Sequence, residues 1–266
     1  MYRTKRTLDD IKANGYELDF STVFNKSLDN FKKTALMSGL GMILITIVIA
    51  IFFILITFGI VGVSMVNDGK SLFDVQNFGF VELVVYFLAV TLFAVICFPL
   101  TAGFIKMAQD AAKGESLGLG TLLSFYGNKY TGTLMSAGVI IGGVTNIFST
   151  LLSFVGWNFL GALVSLVISF FTFLTIPLII FDGKSALESI EGSMQIIAKQ
   201  LIVILGLWVI SLIFCTLGIF GLCIGIFFTL PFLYSFQYSL FAEIIGDPEE
   251  LEEITSNDFV QENQDL

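Results

Sequence analysis

The side chains of this chain that could do chemistry are few and scattered. There is no histidine, which removes imidazole metal ligands, imidazole bases and Ser-His-Asp triads. Cys97, Cys215 and Cys223 each lie inside an apolar stretch without CxxC spacing. They read as small core hydrophobes. The polar groups left among apolar neighbours are Asn146, close to Thr145, Ser149 and Thr150, and Gln237, between Tyr234 and Tyr238. Groups of this kind bond between helices, at about 0.6–2 kcal/mol each, or touch a substrate or a lipid headgroup. A catalytic site needs nucleophile, base and metal candidates meeting at one place, and the pattern offers only dispersed Ser, Thr and Tyr. No catalytic, cofactor-binding or metal-binding residue is therefore expected.

The elements that hold these groups are set by composition. The chain has 266 residues, 56% hydrophobic and 13% charged. Soluble domains carry about 25% charged residues, so this chain cannot coat a water-facing surface of ordinary composition. None of the 13 Lys and Arg or the 22 Asp and Glu falls within residues 35–66, 83–105, 130–181 or 200–242. A helical span needs about 20 apolar residues. The first two stretches give one span each. The last two are each long enough for two, with turns expected at Ser153–Asn158 and Thr216–Gly221. The expected fold is an all-α membrane bundle of six transmembrane helices, near residues 38–62, 83–106, 133–153, 158–181, 200–217 and 221–243. They form three hairpins, preceded by a polar segment 1–34 and followed by an acidic tail 246–266.

Every Lys and Arg except Lys70 falls on the side that holds both chain ends in this topology. The positive-inside bias then places both termini in the cytoplasm. The first 34 residues are polar and contain no apolar leader, so the first span is expected to direct its own insertion. An intramembrane charge would mark an ion or proton pathway, and the apolar stretches hold none.

The chain also repeats itself. Phe20, Val23, Phe24 and Phe31 align with Leu119, Leu122, Leu123 and Tyr130, and the third copy sets Ile190, Met194 and Ile197 at equivalent places. Spacings of three, four and seven put them on one helical face. Each copy predicts a cytoplasmic amphipathic helix leading a hairpin, seated in the membrane interface or against the span ends. The third opens on a capping box, Ser185 with Glu188. Pro99, Pro177 and Pro231 fall in spans two, four and six and predict a kink in each returning arm. Gly138 and Gly142 form a small-xxx-small pair that lets helices approach closely.

The run Thr175-Ile-Pro-Leu-Ile-Ile-Phe-Asp182, then Ser185-Ala-Leu-Glu-Ser-Ile and Ser193, resembles a family of bacterial six-span membrane proteins of unassigned activity. Gly103-Phe-Ile-Lys-Met-Ala108 and Lys113-Gly-Glu115 are similar too. The resemblance covers roughly residues 18–245. It looks like the membrane domain found with glycerophosphodiester phosphodiesterases, and it implies an inner-membrane location without supplying catalytic residues. The tail after Gly246 holds Asp247, Glu249, Glu250, Glu252, Glu253, Asp258, Glu262 and Asp265 and no Lys or Arg. An anionic inner leaflet repels such a tail, leaving it free for a basic cytoplasmic partner. The bilayer and a membrane protein are the other expected partners, and no nucleic acid is. The expected function is a non-catalytic organiser of lipids or of a membrane complex. The alternative is a carrier or flippase for an apolar or lipid-like substrate.

Overall fold

A computed structural model describes residues 6–56, 80–220 and 225–246. Among the described residues every regular element is helical. The helices are α1 (Leu8–Asn14), α2 (Phe20–Ile56), α3 (Phe80–Lys113), α4 (Gly120–Leu123), α5 (Thr131–Phe154) and α6 (Asn158–Phe171). They continue with α7 (Thr175–Asp182), α8 (Ala186–Lys199), α9 (Leu201–Leu217), α10 (Gly225–Thr229) and α11 (Pro231–Ile244).

Among the described residues, four segments are long and apolar enough to cross a membrane: Phe20–Ile51, Phe87–Lys113, Thr131–Phe154 and Asn158–Asp182. The pair α8 and α9 would make a fifth, but the two meet at 103°. The outward faces of these helices are apolar, with Leu44, Ile47, Val48, Leu88, Leu92, Ile147, Leu151, Leu163 and Val167 all exposed. Burial concentrates instead at the end of the bundle where Arg6 meets the end of α11. Arg6 N donates to Ile245 O at 3.0 Å and its guanidinium to Ile244 O at 3.4 Å, which satisfies the last carbonyls of that helix.

Local chemistry accounts for the helix limits. The Asp19 carboxylate accepts from Ser21 N and Thr22 N and starts α2. With 37 residues, α2 is about 55 Å long, far more than the roughly 30 Å hydrocarbon layer. No break separates a leading amphipathic helix from the first span here, which corrects the expected boundary near residue 34. Most of the leading face of α2 is withdrawn from the surface: Phe20 stays exposed, but Val23 is buried, and Phe24, Leu28 and Phe31 pack on the core beside Phe214 and Phe232.

α3 runs seven residues past the expected end of its span, to Lys113. Lys106 and Asp110, four apart, pair there at 3.0 Å. Gly114, at φ 76°, closes the helix, with Gly114 N on Ala111 O and Glu115 N on Asp110 O. α5 and α6 are joined through Gly156 at φ 80°, inside the expected turn. α9 ends at Leu217, followed by a 3-10 turn Gly218–Phe220, again where the turn was expected.

The three leading segments take three conformations. The first is continuous with its span. The second is the four-residue α4 followed by turns up to Tyr130. The third is α8, set nearly perpendicular to α9. At that corner Tyr16 OH donates to Ile196 O at 2.7 Å, the carbonyl that an unbroken helix would give to residue 200. Gln200 Nε2 donates to Tyr16 O at 2.7 Å and Lys199 Nζ to Lys12 O at 2.9 Å. Burial pushes the Tyr16 phenol above its ordinary range, and the Arg6 charge works weakly against this.

Candidate functional site

Asn146 is buried and bridges helices: its Nδ2 donates to Phe87 O of α3 at 3.3 Å, and its Oδ1 accepts from Thr150 Oγ1 at 3.3 Å. Gly138 and Gly142 make that approach close, since a Cβ on Gly138 would stand 3.1 Å from Val95 Cα and one on Gly142 2.8 Å from Ala94 Cβ. Removing the amide in Asn146→Ala should cost about 0.6 kcal/mol, read as a small drop in the detergent melting temperature. A loss several times larger would show that Asn146 does more than join two helices.

Gln237 is buried on α11 and donates through Nε2 to Phe173 O. That carbonyl lies in the break between α6 and α7, at Thr172–Leu174. It is also the i−4 carbonyl of Pro177, which has no N–H to give. Ser193 of α8 serves the same break from the other side, accepting from Leu174 N at 3.0 Å and donating to Phe171 O at 2.7 Å. An unwound turn among apolar surroundings needs its backbone groups satisfied by protein, and two side chains far apart in sequence do so. Tyr238 packs edge-on against Phe181, with centroids 5.8 Å apart, and Tyr234 stacks on Phe104 at 4.9 Å. The four polar residues singled out from sequence thus do not converge on one space.

The prolines divide. Pro99 lies inside continuous α3. Pro177 lies in the first turn of α7 and Pro231 is the first residue of α11. Pro231 therefore opens a helix instead of kinking one, and Pro177 follows a break, positions where a missing N–H is cheap.

A polar seam was not anticipated. Ser27, Asn30, Thr34 and Ser38 are all buried on one face of α2. Asn30 Nδ2 donates to Ala108 O at 2.8 Å, Thr34 Oγ1 meets Ser235 Oγ at 3.2 Å, and Ser38 Oγ reaches Met107 Sδ at 3.0 Å. Lys26 pairs with Glu243 at 2.7 Å, and Lys33 Nζ donates to Ala111 O at 3.3 Å at the end of α3. The signal was present as small polar residues spaced three and four apart. It signified a seam between α2, α3 and α11.

A cleft of about 330 Å³ opens between α1 and α8, lined by Thr7, Leu8, Asp9, Lys12, Lys184, Glu188, Glu191 and Gly192. Each helix starts there with a capping box, Thr7 with Asp10 and Ser185 with Glu188. The hydroxyls of Ser185 and Thr7 hold the Glu188 and Asp10 carboxyls below the ordinary carboxylate range. Depressed values mean that each cap is intact above the ordinary range and is lost as pH falls through the lowered value. Acidification should fray the first turn of α8, read as faster amide exchange at Leu187–Ser189 after correction for intrinsic rates. Glu188→Gln should remove most of that pH dependence.

Among the described residues, no group of three or more Cys, Asp or Glu lies close enough to hold a metal ion. No family, curated protein or solved structure matches this chain.

Proposed function

We propose that this chain is a six-span protein of the bacterial inner membrane, with both ends in the cytoplasm, that organises lipids or a membrane protein complex without catalysing a reaction. In this topology α2, α3, α5, α6 with α7, α9, and α10 with α11 are the spans. α9, with 17 residues, is about 26 Å long, close to the hydrocarbon thickness. The resemblance to the six-span bacterial family belongs to the same reading.

One observation carries the choice of an organiser. The two amides singled out inside the apolar stretches are already bonded to the protein's own backbone: Gln237 to Phe173 O and Asn146 to Phe87 O. The cleft between α1 and α8 reaches neither of them. A carrier needs polar groups free to exchange partners. The broken helix at Thr172–Leu174 favours a carrier, since broken helices bind cargo in many transporters, but Gln237 and Ser193 occupy its exposed backbone groups.

The test is purification in a mild detergent followed by mass spectrometry of bound lipids and proteins. An enriched lipid or a stoichiometric partner is expected. A lone protein without enriched lipid overturns the organiser. In a companion assay the protein is reconstituted into vesicles carrying a fluorescent phospholipid. Rapid loss of the inner-leaflet fraction to an external quencher would establish the carrier instead.

A further inference from the structure

α8 carries two parallel stripes one residue apart. Leu187, Ile190 and Met194 form the first, at spacings of three and four. Glu188, Glu191 and Gln195 form the second. The stripes lie about 100° apart around the helix. The face opposite is committed to the protein: Ser189, Gly192, Ser193, Ile196 and Ile197 are buried. Of the apolar stripe, Leu187 is 67% exposed and Met194 47%. The acidic stripe borders the cleft with Lys12 and Lys184, and its members interact with each other, Gln195 Nε2 donating to Glu191 Oε1 at 2.7 Å.

Two observations say what covers the apolar stripe. α8 meets α9 at 103°, so if α9 crosses the membrane α8 lies nearly in the membrane plane. The corner itself is apolar and open, with Ile202 85% exposed and Leu201 and Leu205 exposed beside it. The exposed side of α9 then continues through Val209, Ile213 and Leu217. Exposed apolar residues thus run from α8 through the corner and along α9, while the stripe beside them on α8 carries Glu188 and Glu191.

We infer that α8 is an interfacial helix, seated at the acyl-chain boundary of the cytoplasmic leaflet. Leu187, Ile190 and Met194 rest on lipid chains, and Glu188 and Glu191 face water. Amphipathic helices in the interface bury their apolar side a few ångströms below the headgroups (about 5–10 Å). The corner bonds of Tyr16, Lys199 and Gln200 hold the helix at that height. This inference rests on the reading of α9 as a span.

Nitroxide scanning in reconstituted phospholipid vesicles tests it. The background has the native cysteines replaced by alanine, and spin labels are placed one at a time at Leu187→Cys, Met194→Cys, Glu188→Cys, Glu191→Cys and Ile213→Cys. All five positions are exposed, so the labels do not enter the core; the label at 188 removes the capping carboxylate, and the label at 191, which leaves the cap intact, controls for that loss. Labels at 187 and 194 should collide with oxygen several-fold more than with a water-soluble nickel chelate, and labels at 188 and 191 should show the reverse. Nickel access at 187 and 194 equal to that at 188 overturns the inference. Shielding of 187 and 194 from both reagents also overturns it, in favour of a docked protein. The label at 213 separates the two readings: if it is open to nickel, α9 is not a span and both fall together. Where the cysteine-free background does not fold, a phospholipid with a photoreactive group in its acyl chain is applied to the unaltered protein. Adducts on Leu187, Ile190 or Met194 are expected, and their confinement to the acidic stripe would overturn the inference.

Discussion

Gly103→Ala should unseat α4 from α3 and lower stability by about 1–3 kcal/mol or more, the usual cost of overpacking. A Cβ built on Gly103 would stand 2.3 Å from Leu122 O, 2.6 Å from Leu122 Cα and 2.7 Å from its carbonyl carbon. These are backbone atoms, so no side-chain rotation relieves the clash. Leu122 is buried between α2 and α3, and the second contact behaves differently. A Cβ on Gly41 would meet Leu122 Cδ1 at 2.5 Å, the end of a side chain that truncation removes. A double-mutant cycle with Leu122→Ala therefore distinguishes the two glycines. Gly41→Ala should couple strongly to it, and Gly103→Ala should lose about as much stability in either background. Gly143→Ala is the control: nothing lies within 4 Å of its added Cβ, and alanine favours helix, by up to about 1 kcal/mol. Thermal unfolding in detergent reads all of these. A Gly103→Ala protein as stable as the parent would mean that α4 does not lie against α3 as described.

Gln237→Leu should leave Phe173 O buried and unpaired, at a cost of about 1–3 kcal/mol. The interest lies in its suppressor. Phe173 O lacks a backbone partner in part because residue 177 is proline. Pro177→Ala returns an N–H four residues on from that carbonyl. On its own Pro177→Ala should change stability little, because Gln237 already holds the acceptor. Combined with Gln237→Leu, it should recover a measurable part of the loss. Ser193→Ala should destabilise to a similar extent, since Leu174 N and Phe171 O both depend on its hydroxyl, and Pro177→Ala should not rescue it. Equal rescue of both variants would show a general stiffening of the break and not a bond restored at Phe173.

Several features were legible in the sequence because short-range physics decides them. Ser185 and Glu188 make the expected capping box, since a cap involves only residues three apart. The turns at Gly156 and after Leu217 fall within the stretches Ser153–Asn158 and Thr216–Gly221, where turns were expected. The Ser27–Ser38 stripe could have been found by spacing, yet spacing does not name what it faces. The three similar leading segments could not be told apart in the same way. Their shared apolar spacing predicts three like helices. Their different outcomes depend on Tyr16 at the α8–α9 corner and on the lack of any comparable break in α2.

By itself, the sequence determined helicity, apolar length, caps and turns, because those follow from hydrogen bonds within a turn or two and from the cost of an unsatisfied backbone in an apolar medium. Only the tertiary structure decided which carbonyl each interior polar group serves. Gln237 and Phe173 are 64 residues apart, Asn30 and Ala108 are 78 apart, and Tyr16 and Ile196 are 180 apart. A buried amide or hydroxyl must find a partner, but sequence spacing does not say where. The residues that first looked able to do chemistry therefore became, once folded, the bonds that hold broken and neighbouring helices together.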